Sequence, residues 1–208
     1  MPDPSASLFK NHERHYKDSG ADRWQVPYRE VKAFHLDRLP RWLDRIPQEA
    51  HILDAGCATG YLLGLLWESG YHNLVGVELS EQLIALARRN LPDEIALVNA
   101  DVRDYLAQVA DQTFDVILFH HVLEHLPREH TIPLLREFYR VLKPGRYLDL
   151  KVPNASFWLA GYHLFCDFIH VVHFCQVPDD CIDPRRRALF MGREAMRELI
   201  EELRRQQS

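Results

Sequence analysis

From His51 to Val152, short apolar runs alternate with stretches of helical periodicity, and few folds accept that alternation. Ile52-Leu53, Leu74 to Glu78, Ile95 to Val98, Phe114 to Phe119 and Tyr147 to Val152 have the length and composition of strands. Between them lie Leu62, Leu63, Leu65 and Leu66, then Leu83, Ile84, Leu86 and Ala87 behind a Ser80 cap. A third set is Ile132, Leu135, Phe138, Val141 and Leu142, closed by Pro144-Gly145. Strands separated by helices at this period form a parallel sheet with right-handed crossovers. Phe114 to Phe119 reads as a strand buried on both faces. The expected fold is α/β, doubly wound, with a mainly parallel sheet.

With 208 residues the chain is sized for one domain. Residues 1–27 are polar and broken by Pro2, Pro4, Gly20 and Pro27, and read as a flexible arm. Tyr28 to about Arg45 has an amphipathic helical pattern and opens a core that runs from 28 to 154. Residues 155–208, in the same domain, comprise an aromatic stretch from Ser156 to Phe174, a turn-rich loop from Val177 to Arg187, and a last helix carrying Met196, Leu199, Ile200 and Leu203.

Composition removes several function classes. Twenty-five Lys and Arg against thirty Asp and Glu leave a net charge of −5, with no basic field to hold nucleic acid. Asn154 to Cys175 approaches membrane-span length but contains His163, Asp167, His170 and His173, so no membrane span is expected. Four irregularly spaced cysteines form no disulfide framework, no signal peptide is legible, and a cytoplasmic location follows as the expectation.

Three acids stand at three successive strand ends: Asp54, Glu78 and Asp101. In an open parallel sheet, ligands bind beyond the carboxyl ends of the strands. The turn from Gly56 to Gly60 lets backbone approach a ligand closely. Glu78 follows Asp54 by 24 residues, about the offset at which such sheets place an acid against ribose hydroxyls. The turn lacks G-x-G-x-x-G, and Asp54 would oppose a diphosphate, so a nicotinamide dinucleotide fits poorly. A cationic nucleoside fits better.

These segments resemble the motifs of class I S-adenosylmethionine-dependent methyltransferases. His51-Ile-Leu-Asp-Ala-Gly-Cys-Ala-Thr-Gly60 is similar to the first motif, and Val75-Gly-Val-Glu-Leu-Ser80 to the second. Ala100-Asp-Val102 is similar to the adenine-contacting third, Phe114-Asp-Val-Ile-Leu-Phe119 to the fourth, and Val141-Leu-Lys-Pro-Gly145 to the turn before strand five. Ala58 stands where a third glycine is common, a small change that should leave the turn intact. The resemblance implies a Rossmann-like sheet, S-adenosylmethionine as methyl donor and S-adenosylhomocysteine as product. It implies that Asp54, Gly56 and Gly60 hold the methionine part, that Glu78 binds the ribose, and that Asp101 and the Val102 N–H meet the adenine, with Cys57, Leu79 and His120 also among the donor's contacts. Cys57 itself, with no base next to it in sequence, reads as a small buried residue.

His120-His121-Val-Leu-Glu124-His125 follows strand four, where the resemblance puts the methyl acceptor. Methyl transfer is an in-line displacement, and an oxygen acceptor must also lose a proton, a task suited to imidazole. His121 and His125 are the candidate catalytic bases. His121-x-x-Glu124-His125 also matches H-x-x-E-H of inverted zinc proteases, but it closes a strand rather than lying on a helix. Metal-dependent O-methyltransferases carry E-x-x-E-H at this place. Here His121 replaces the first Glu, and Arg187 falls where a downstream His is usual, so no metal is expected. His170, His173, Cys175 and Cys181 fit no zinc spacing.

Relatives of this fold end in two antiparallel strands after the last helix. None is legible after Leu203, so the sheet is expected to lack its C-terminal β-hairpin and to expose the edge beside strand five. Such an edge invites a second copy to pair with it, giving a homodimer. The expected activity is methyl transfer to a small-molecule acceptor, at oxygen. The alternative is a non-catalytic, donor-binding regulatory subunit.

Overall fold

In the computed structural model the described residues are 43, 45–126, 128–151, 182–183, 188–192, 197, 200–201 and 205. The arm, most of the first helical segment, and the aromatic segment from Ser156 with its histidines and cysteines lie outside them. The chain forms two compact units, Met1–Gln108 and Val109–Ser208.

In the first unit the elements are β1 (Ile52–Ala55), α1 (Tyr61–Glu68), β2 (Leu74–Glu78), α2 (Glu81–Asn90), β3 (Ala96–Asn99) and the short α3 (Val102–Leu106). The two strand pairs are parallel and in simple register, Ile52 opposite Leu74 and Glu78 opposite Asn99. β1 is buried throughout, and β2 up to Val77. Gly70 ends the turn after α1 with φ 92. Tyr71 donates its hydroxyl to the carbonyls of Leu43 (2.8 Å) and Ile46 (3.0 Å), which ties the chain entering β1 to the chain entering β2. Ser80 caps α2 as its sequence suggests, accepting from the Leu83 N–H at 3.4 Å.

The second unit holds β4 (Phe114–His120), a 3₁₀ turn (Leu123–His125), α4 (Arg128–Val141), β5 (Leu142–Lys151), β6 (Ile182–Asp183) and β7 (Ala188–Gly192). β4 and β5 are parallel. The mainly parallel, doubly wound α/β class read from the sequence is the class found.

Two expectations need correction. The C-terminal hairpin is present: β7 runs antiparallel to β5, with Lys151 opposite Ala188 and Tyr147 opposite Gly192, and β6 pairs with β7. It escapes a sequence reading because β6 is two residues long and sits within the turn-rich stretch, and because it precedes the last helical residues (197, 200, 201 and 205) instead of following them. The edge beside strand five is therefore covered, and the reason for expecting a homodimer there is gone.

β5 also begins at Leu142, directly after α4. Its register jumps from Phe114–Leu142 to Val116–Tyr147, which throws Lys143 to Arg146 outward as a bulge around Gly145 (φ 70). The bulge has a charge partner. Asp115, buried inside the apolar run of β4, meets Lys143 Nζ at 2.7 Å and Arg146 Nε at 2.9 Å. An acid this deep would be costly alone, and the two cations offset that cost.

Behind β4, Phe119 meets Phe138 of α4 edge to face at 4.9 Å, both fully buried. Replacing Phe138 with alanine should cost about 3–5 kcal/mol of stability, read as a lower urea midpoint with an unchanged slope.

Candidate functional site

The turn after β1 is built by backbone. Gly56 (φ 87), Ala58 (φ 49) and Gly60 (φ 75) all adopt the left-handed region. The N–H groups of Gly56 and Cys57 donate to the Val77 carbonyl at 2.8 and 3.0 Å, which locks the turn onto β2. Ala58 keeps the turn intact, as expected, at a backbone cost of about 1–2 kcal/mol. Gly60 has a packing reason beyond ligand approach: a Cβ there would run into the side chain of Leu91, just after α2. Gly76 is the second close approach. A methyl on it would meet Leu63 Cδ1 at 2.6 Å, Cys57 Sγ at 2.8 Å and Leu97 Cδ2 at 2.9 Å, so its bare backbone lets α1, the turn and β3 converge on β2.

Glu78 connects this turn to α2. Its Oε2 accepts from the Ala58 N–H at 3.0 Å and its Oε1 from the Ser80 N–H at 2.8 Å. Burial pushes its carboxyl above the usual range, while the N–H donors of Ser80, Ala58 and Leu79 pull it down. Asn99, which the sequence reading passed over, donates through Nδ2 to the carbonyls of Glu78 and Leu79, both at 2.9 Å. It fixes the backbone that aims Glu78, and its one visible signal was a polar residue at a strand end. Leu79 is 38% exposed although it is a large apolar side chain, a position that suits contact with a ligand.

Asp54 is buried, and so is Cys57 at 6% exposure. The Cys57 thiol is pushed up first by burial and then by the carboxylates of Asp54 and Glu78, so the field inside the turn is negative and disfavours the thiolate. Asp101 caps α3: its Oδ1 accepts from the Arg103 N–H at 2.8 Å, and Arg103 Nη2 meets Oδ2 at 2.6 Å. Its carboxylate thus has a structural duty that any ligand must share. Val102 is the first residue of α3.

Asp54, Gly56, Cys57, Gly60, Glu78, Leu79, Asp101 and Val102 all belong to the first unit. The histidines belong to the second. His120 ends β4, and its Nε2 lies 3.2 Å from Asp149 Oδ2 of β5. Asp149, which the sequence reading also missed, carries a signal of its own as an acid between Leu148 and Leu150 in a buried strand. His121 is exposed, has φ 56, and donates its N–H to the Lys151 carbonyl at 2.8 Å. That left-handed backbone at a non-glycine residue is strained. His125 closes the 3₁₀ turn and is half-buried. Among the described residues, no three His, Cys, Asp or Glu side chains converge as for a metal. No described helix is long and apolar enough to cross a membrane.

A family model described as "Methyltransferase domain" matches residues 53–148. The chain is 31% identical over 145 residues to a ubiquinone biosynthesis O-methyltransferase of Hahella chejuensis, covering 65% of this chain and 58% of that one. It is 25% identical over 185 residues to EEF1A lysine methyltransferase 2 of Danio rerio, covering 74% and 78%. A solved S-adenosylmethionine-dependent methyltransferase from Archaeoglobus fulgidus shares the fold, with a TM-score of 0.59 at 23% identity over 90% of this chain and 73% of that one. The chain spans from under a fifth to 58% of the first curated relatives it matches.

Gly60→Ala should lose about 2–4 kcal/mol, from the backbone conformation and the collision with Leu91 together. Gly145→Ala, equally left-handed but with nothing near its Cβ, should lose only about 1–2 kcal/mol. Thermal melts of the two variants separate the steric from the conformational part, at roughly 2–4 °C per kcal/mol.

Proposed function

We propose that this chain is a class I S-adenosylmethionine-dependent methyltransferase that transfers a methyl group to the oxygen of a small-molecule acceptor. The observation that carries the reading is Glu78, a carboxylate at the end of β2 held by two backbone N–H groups beside the exposed Leu79.

The residues fit the donor. The negative field that Asp54 and Glu78 create around Cys57 suits a sulfonium and an ammonium, and it opposes the diphosphate of a dinucleotide. Asp54, Gly56, Cys57 and Gly60 hold the methionine part. Glu78 accepts from the ribose hydroxyls through lone pairs that its backbone N–H donors leave open. Leu79, Asp101 and the Val102 N–H meet the adenine. When bound, S-adenosylmethionine supplies an electrophilic methyl carbon whose bond to sulfur breaks with the electron pair returning to sulfur. The acceptor's oxygen forms the new bond to carbon, and its proton passes to an imidazole of the His120–His125 stretch, with His121 and His125 the two bases named by the sequence.

The competing idea, a subunit that binds donor but lost turnover along with its C-terminal hairpin, loses its premise because β6 and β7 are in place.

Calorimetric titration of S-adenosylhomocysteine tests the donor site. Wild type should bind at micromolar strength, and Glu78→Ala should weaken binding at least tenfold, about 1.4 kcal/mol. The pH dependence has a defined sign. Hydroxyl donors need the ionised carboxylate, and burial raises the Glu78 pKa in the free protein. Affinity should therefore fall as pH drops through a midpoint above the ordinary glutamate value, and Glu78→Gln should flatten the profile. A pH-independent wild type would remove Glu78 from the ligand. A panel of phenols, carboxylic acids and amines, with methyl-labelled donor, tests the acceptor class; label reaching only RNA or protein would overturn the small-molecule reading.

A further inference from the structure

We propose that Asp149 is a positioning residue that holds His120 in its Nε2–H tautomer, so that His120 Nδ1 is the atom that accepts the proton of the methyl acceptor; this assignment rests on the methyltransferase reading above.

His120 and Lys151 are register partners at the ends of β4 and β5, and Asp149 lies two residues before Lys151. The Asp149 side chain is 2% exposed, between fully buried Leu148 and Leu150. Its Oδ2 lies 3.2 Å from His120 Nε2 and 3.7 Å from Lys151 Nζ. His120 Nε2 is closed off from solvent. The two atoms lie within contact distance without yet meeting hydrogen-bond alignment, as is common at catalytic groups before substrate tightens them.

The chemistry of the contact decides the tautomer. An ionised carboxylate only accepts hydrogen bonds. If Nε2 carried a lone pair, two acceptors would face each other in a buried space and Nε2 would be left unpaired, which is costly. With the hydrogen on Nε2, the neutral ring leaves Nδ1 bare. Burial lowers the His120 pKa, Asp149 opposes that shift, and Lys151 and His121 reinforce it, so the ring is held in its neutral, proton-accepting form. The proton leaves the acceptor's oxygen for Nδ1 while the oxygen's electron pair bonds the methyl carbon. The imidazolium that forms is then faced by the Asp149 carboxylate, the arrangement of a base oriented by a buried acid.

The test uses the whole chain, labelled with ¹⁵N. Long-range ¹H–¹⁵N correlation, with His120→Gln to assign the ring, should find wild-type His120 protonated at Nε2 and bare at Nδ1. Asp149→Asn, whose amide can donate to Nε2, should move hydrogen to Nδ1 and lower turnover of the best acceptor from the panel at least a hundredfold. His120→Gln should lower it as much, whereas His121→Gln and His125→Gln should retain more turnover than either. A wild-type ring protonated at Nδ1, or His120→Gln retaining rates within fivefold of wild type, overturns the assignment while the methyltransferase reading stands. Wild type that neither binds S-adenosylhomocysteine nor turns over any acceptor overturns that reading, and the role of His120 with it.

Discussion

The first unit depends on one carboxylate. Glu78 takes the N–H of Ala58 on one oxygen and the N–H of Ser80 on the other, so a single side chain joins the turn after β1 to the N-terminus of α2. Both turns are also held by the sheet, through the Val77 carbonyl of β2 on one side and through Asn99 of β3, which donates to the Glu78 and Leu79 carbonyls, on the other. The arrangement requires two missing side chains. Gly76 keeps the turn and α1 close to β2, and Gly60 keeps Leu91 clear of the start of α1. A ligand that recruits Glu78 therefore binds to an acid already oriented by the backbone, and it loses little freedom in doing so.

The second unit uses buried acids in another way. Asp115 binds the bulge of β5 through Lys143 and Arg146, and the irregular register of β5 is tolerated because that loop is anchored by charge. Asp149 has a weaker cation in Lys151 and a histidine as its second neighbour. A carboxylate almost wholly out of water is retained only where its partners offset several kcal/mol of lost hydration. The two acids lie in adjacent strands, Asp115 facing two cations and Asp149 facing a lysine and an imidazole.

Much of this was legible in the residues. The periods of 2 and 3.6 located β1 to β4 and α1, α2 and α4 to within a residue or two, because those elements bury continuous apolar stripes. Asp54, Glu78 and Asp101 stood out because each lies at or just past a strand end, and Gly56 and Gly60 because they bracket the turn after β1. The hairpin did not stand out, since a two-residue strand has no period and β7 owes its state to the ladder it forms with β5. The role of Asp101 was legible only in part: its capping duty is local, but the grip of Arg103 on both its oxygens is a matter of side-chain conformation.

The sequence by itself determined the fold class, the alternation of strands and helices along the chain and the acids at the strand ends, because these follow from local periodicity and from residues adjacent in the chain. Only the tertiary structure decided which N–H groups orient Glu78, why Gly76 can carry no side chain, and which group His120 faces. Ala58 and Glu78 are 20 residues apart, and His120 and Asp149 are separated by most of a strand–helix–strand unit. Contacts at that distance are set by register and packing, which no local pattern encodes.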